Sequence, residues 1–127
     1  MRFVSVLICD LPVGSAREQQ LKSLLMNNVT TPWVASVCYR EVRTIHKSYY
    51  PKLVLLDLDP ITERGLAVIS QIKSHVQYIL VTCSHRSEHL LLQALHLGAT
   101  EFLLGEDLEV ELEQASARIV ASSSKTE

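Results

Sequence analysis

The segment Lys52-Leu53-Val54-Leu55-Leu56-Asp57 restricts the possible folds more than any other part of the chain. Its apolar residues run without alternation, so both faces of the strand must be covered, as in the centre of a parallel sheet. Pro51 ends whatever precedes the strand, and a carboxylate ends the strand itself. Around it, short β-branched runs alternate with longer amphipathic stretches. Strands are predicted over 3–9, 33–38, 77–82 and 100–104, and helices over 15–26, 41–49, through Leu66, Ile69 and Ile72, over 87–97 and from Asp107 onward. Ser15 has the chemistry of an N-cap, and Gly98 stands where a C-terminal cap belongs. Leu66, Ile69 and Ile72 keep a helical spacing, as do Leu108, Leu112, Ala115 and Ile119.

Strands alternating with helices over 127 residues predict an α/β fold. The economical arrangement is a doubly wound, five-stranded parallel sheet of flavodoxin-like topology, strand order 2-1-3-4-5, with right-handed crossovers. One domain is expected over 1–121, with a polar tail or linker over 122–127. A hydrophobic fraction of 47% excludes a disordered chain. The net charge of -2 offers no footprint for nucleic acid or an anionic membrane. No apolar run reaches the roughly 18 residues of a membrane span. The N-terminal apolar run ends at Cys9-Asp10 without a small-residue cleavage site, so it reads as a first strand rather than a signal peptide. The three cysteines, Cys9, Cys38 and Cys83, are odd in number and widely spaced, which points to a reducing compartment and to packing roles. The five histidines, His46, His75, His85, His89 and His96, have no ligand spacing. The glycines Gly14, Gly65, Gly98 and Gly105 form no phosphate-binding loop, which speaks against a nucleotide-binding enzyme.

Ligands of such sheets bind beyond the carboxyl ends of the strands. That edge collects Asp10, Asp57, Asp59 and Thr82. Carboxylates converging there repel one another unless a hard cation lies between them, and magnesium is the usual solution. The candidate ligands are Asp10, Asp57 and the backbone carbonyl of Asp59. A carboxylate beside such a cation can attack a phosphoryl donor, and Asp57 is the candidate phosphoacceptor. The Thr82 hydroxyl, at the end of the next strand, can hydrogen-bond the added phosphate.

At these residues the chain resembles the receiver domains of response regulators, over roughly residues 3 to 120. Pro51 to Asp57 matches the proline-to-phosphoacceptor segment, Val81-Thr82 the switch hydroxyl, and Gly98-Ala99 with Phe102 the glycine-alanine pair and the switch aromatic. The resemblance implies two-component signal transduction or phosphorelay, a histidine kinase as donor, and catalysis limited to autophosphorylation. The departures are specific. The family has two adjacent acids after strand one, and here only Asp10 stands there. The family's lysine after strand five is replaced by Gly105, followed by Glu106, and Asp59-Pro60 arrives one residue early. Each change weakens the binding of an anion at Asp57, so weak or absent phosphorylation and weak or absent magnesium binding are expected. Phe102, lacking a hydroxyl, is expected to stay buried.

A narrower resemblance fits these departures. Asp57-Leu58-Asp59-Pro60, Glu63-Arg64-Gly65-Leu66, Glu88 to Ala94 and Gly98 to Leu103 look like the N-terminal receiver-like domain of TadZ/CpaE-type pilus-assembly proteins. That likeness implies an ATPase domain beyond Glu127 and a role at a pole of the bacterial cell, in the cytoplasm. Leu92 and Leu95 exceed what the helix over 87–97 needs to cover the sheet. Together with Val110 they form a candidate patch on the face made by that helix, the strand over 100–104 and the last helix. The resemblance makes that face a surface for a homodimer or another protein partner. The leading expectation is a non-enzymatic, receiver-like interaction module; the alternative is a working receiver phosphorylated on Asp57.

Overall fold

A computed structural model describes residues 5–9, 14–28, 34–39, 42, 53–58, 62–83, 88–103 and 108–126. The elements are β1 (Ser5–Ile8), α1 (Ala16–Asn28), β2 (Val34–Val37), β3 (Leu53–Asp57), α2 (Thr62–Ile72), β4 (Tyr78–Thr82), α3 (Glu88–Leu97), β5 (Glu101–Leu103) and α4 (Leu108–Thr126). All strand pairs are parallel, in the order β2-β1-β3-β4-β5. The helix predicted over 41–49 lies outside the described residues, except for Val42.

The uninterrupted apolar run explains the centre of this sheet. Every residue of β3 and of β4 is buried. Side chains of a strand alternate between its faces, and β3 divides accordingly. Leu53 and Leu55 pack with Leu21 and Leu25 of α1 and Leu112, Ala115 and Ile119 of α4. Val54 and Leu56 pack on the other side with Val68, Ile69 and Ile72 of α2 and Ala94 of α3. The sheet is therefore the middle layer of three, and neither of its faces meets water along β3.

Local chemistry sets the helix ends. The Ser15 hydroxyl accepts the Glu18 N–H at 3.2 Å, and the Glu18 carboxylate accepts the Gly14 N–H at 3.2 Å, a reciprocal cap of the capping-box kind. Gly14 makes that turn at a φ of 80°. At the end of α3, Gly98 adopts a φ of 122°. Its N–H bonds the Leu95 carbonyl at 3.2 Å while the Ala99 N–H bonds that of Ala94 at 3.0 Å, the paired bonds of a Schellman cap. Residues 122–126, part of the expected polar tail or linker, are helical and continue α4. Serines lower helix propensity only modestly, so a helix already packed on the sheet can run through them.

Gly65 lies buried within α2, against the chain just after β3. A Cβ at this position would stand 2.6 Å from Leu58 Cδ2, 2.9 Å from the Tyr39 hydroxyl and 3.2 Å from Leu58 Cα. Alanine would gain about 1 kcal/mol of helix propensity, but overpacking a tight contact costs about 1–3 kcal/mol. Leu58 Cα is backbone and cannot step aside. Gly65→Ala should therefore lower stability by roughly 1 kcal/mol, seen as a lower urea midpoint; a raised midpoint would show that the contact relaxes freely.

Candidate functional site

Asp57 ends β3 with 0% of its surface exposed. The alternation that sends Leu53 and Leu55 toward α1 and α4 sends its side chain the same way. A buried carboxylate needs partners, since its desolvation is otherwise uncompensated. Arg17 supplies them. Its Nε donates to Asp57 Oδ2 at 2.8 Å, and a terminal guanidinium nitrogen donates to Oδ1 at 3.1 Å. This is the bidentate fork in which an arginine matches both oxygens of a carboxylate. Arg17 is the second residue of α1, placed there by the Ser15 cap, and its side chain keeps 29% of its surface exposed. The acid is fixed and the base is partly in water.

The main chain of Asp57 is held as well. The Tyr39 hydroxyl, buried just beyond β2, donates a hydrogen bond to the Asp57 carbonyl oxygen. The Arg64 guanidinium lies 5.9 Å above the Tyr39 ring, within cation–π range. On the other side, Asp57 and Thr82 are register partners at the ends of β3 and β4. The Leu58 N–H donates to the Thr82 carbonyl at 2.9 Å. Thr82 is 1% exposed, and its hydroxyl oxygen alone among the described buried side-chain polar atoms has no hydrogen-bond partner.

Of the residues singled out in the sequence, Asp57 and Thr82 are brought together. Asp10, Asp59 and Gly105 lie outside the described residues. Phe102 is buried among the side chains facing α2 and α3, including Ala94 and Ala99. Leu92, Leu95 and Val110 are 65%, 41% and 44% exposed. Arg118 of α4 bonds Glu101 of β5 through two guanidinium nitrogens, which raises the arginine pKa above its ordinary value. Arg17 and Tyr39 were not anticipated. A signal existed for Arg17, because helices of this topology begin beside the carboxyl edge of the sheet, and a cation at the second position of α1 stands near it.

A divalent cation needs carboxylate oxygens to bind. Both oxygens of Asp57 accept from Arg17, and among the described residues no three His, Cys, Asp or Glu side chains converge on a metal-sized site. With Arg17 in place, the described residues do not fit a magnesium ion. No helix among them is long and apolar enough to cross a membrane.

No protein-family model and no curated protein matches the chain. Solved structures do match. A two-component response regulator of the LuxR family from Aurantimonas sp. SI85-9A1 superposes with a TM-score of 0.79 at 21% identity, covering 96% of this chain and 87% of that one. The signal receiver domain of a DNA-binding response regulator from Colwellia psychrerythraea 34H gives 0.70 at 17% identity, covering 92% and 97%. The signal receiver domain of a modulated diguanylate cyclase from Desulfovibrio desulfuricans G20 gives 0.74 at 11% identity, covering 100% of both. The likeness establishes that the chain has the fold of signal receiver domains.

The unpartnered Thr82 hydroxyl makes a direct prediction. Thr82→Val removes a buried polar atom while keeping its shape, and should stabilise the domain by about 1 kcal/mol. Thermal and urea unfolding of the two proteins would measure it, and a loss of stability would mean that the hydroxyl has a partner after all.

Proposed function

We propose that this domain is an atypical receiver-like signalling module that works by presenting a surface to protein partners, with weak or no phosphorylation of Asp57. The observation that carries the reading is the Arg17–Asp57 pair. A phosphoacceptor must offer an oxygen to the donor and share its charge with a metal ion. Here the carboxylate is fully buried and both oxygens are bonded to a guanidinium of the same chain. The departures in sequence point the same way, with Gly105 in place of the lysine and Asp10 as the sole acid after the first strand. Magnesium affinity is accordingly low or absent, and the domain is not an enzyme.

The exposed Leu92, Leu95 and Val110 form the partner surface in this reading, either for a second copy of the chain or for another protein. The resemblance to TadZ/CpaE-type proteins suggests the N-terminal localisation or dimerisation domain of a pilus-assembly protein, joined to an ATPase domain and acting at a pole in the bacterial cytoplasm. A second reading, a receiver phosphorylated on Asp57 by a histidine kinase, is favoured by the unpartnered Thr82 hydroxyl beside the acid.

Incubation with acetyl phosphate and magnesium separates the two. The intact mass of the wild type should stay unchanged, and stoichiometric modification of Asp57 would sink the module reading. Sedimentation velocity tests the surface. Leu92→Glu should shift any self-association toward monomer or, in a monomeric protein, abolish capture of the partner without altering thermal stability.

A further inference from the structure

We infer that Cys9 and Cys38 form a redox-modification site, a dithiol that hydrogen peroxide closes into a disulfide across the ends of β1 and β2. The site is separate from the Asp57 chemistry and does not depend on it. None of the three cysteines is disulfide-bonded in the structure. The parallel register of β1 with β2 ends on the pair Ile8 and Val37, and Cys9 and Cys38 each follow directly. Neighbouring strands lie about 4.8 Å apart. That falls inside the roughly 4.4–6.8 Å between Cα atoms that a disulfide spans. The faces agree as well. Cys9 packs on the α1 and α4 side of the sheet, with Leu7, Leu55 and Leu112. Tyr39 packs on the opposite side, with Ile8 and Leu56. Cys38 precedes Tyr39, and the alternation of an extended chain puts it on the side of Cys9.

Exposure gives the two thiols different parts. Cys38 is partly exposed, whereas Cys9 is only 3% exposed. Redox-sensing sites set an accessible attacking cysteine beside a resolving one. The Cys38 thiolate attacks one peroxide oxygen, the O–O bond breaks, the departing oxygen leaves as water, and the sulfur becomes a sulfenic acid. The Cys9 thiol then attacks that sulfur, its S–O bond breaks, and a second water leaves. The two thiols have lost two electrons and two protons, and the peroxide has become two waters. Cys83 cannot take part. It packs on the side of Ile8 and Leu56, and it follows β4, which β3 separates from β1. The new bond closes the segment from residue 9 to residue 38, which contains α1. It also fixes the residue next to Tyr39, whose hydroxyl holds the Asp57 carbonyl.

The test treats the reduced, folded wild type with a small excess of hydrogen peroxide. Intact mass, maleimide labelling after denaturation and peptide mapping without reductant read the result. The monomer should lose the mass of two hydrogens, and its labelled thiols should fall from three to one. Mapping should find a single cross-linked pair of peptides, holding Cys9 and Cys38, and dithiothreitol should restore every thiol. Cys9→Ala should stop the cross-link and leave Cys38 as a sulfenic acid trapped by dimedone. Should that variant fail to fold, the mapping of the wild type decides alone. Unchanged labelling, oxygen added to Cys38 without a cross-link, or a bond that includes Cys83 or joins two chains would each overturn the site.

Discussion

Among the described residues at the carboxyl edge of this sheet, the contacts centre on how one buried negative charge is compensated. β3 is covered on both sides, so its last residue inherits the burial of the strand that carries it. An aspartate there must be neutralised, solvated or matched by a cation. In this chain the match is a guanidinium forty residues earlier in sequence. The geometry of that match fixes the first turn of α1 against the end of β3. Arginine suits the role better than lysine would, because its planar fork satisfies both oxygens at once and stays charged at any physiological pH.

Other described residues of the edge are arranged around that pair. Gly14 and Ser15 deliver Arg17 at the start of α1, and the Glu18 carboxylate closes the turn behind it. Tyr39 reaches from the end of β2 to the carbonyl of Asp57, so β2 is tied to β3 across the intervening β1. Arg64 covers the tyrosine ring, and Gly65 leaves room beneath its hydroxyl. These contacts run from α1 through Asp57 to α2 and involve neither Phe102 nor β5. A change at Asp57 would be felt first at α1 and at the start of α2. The exposed leucines of α3, Leu92 and Leu95, take no part in these contacts.

What the sequence made legible follows the range of the interaction involved. The central strand could be read from six consecutive letters, since double burial demands an unbroken apolar run. The caps at Ser15 and Gly98 could be read because their chemistry is contained within a few residues. The topology followed from the alternation of elements and the handedness of their crossovers. The end of the last helix was not legible because 122–126 carry serines and no apolar spacing, whereas a helix anchored by Leu112, Ala115 and Ile119 continues without them. Asp57 and Thr82 were found by their places at strand ends. Tyr39 escaped because nothing local marks it, and Arg17 was marked only by its place at the start of α1; the folded sheet brings both residues to Asp57.

The two polar side chains at the centre of the site are in opposite conditions, and this says what kind of site it is. Asp57 is satisfied by the protein itself, as in a structural ion pair. Thr82 is not satisfied, although it is buried beside it, and such an orphan is a standing cost that a purely structural edge could remove with a valine. A site built only for stability would have no reason to keep the hydroxyl. A site built for phosphorylation would have no reason to seal the carboxylate. The combination is a carboxylate sealed by a guanidinium of the same chain beside a hydroxyl left unpaired. Of the two partners, the Arg17 side chain is the one that reaches solvent.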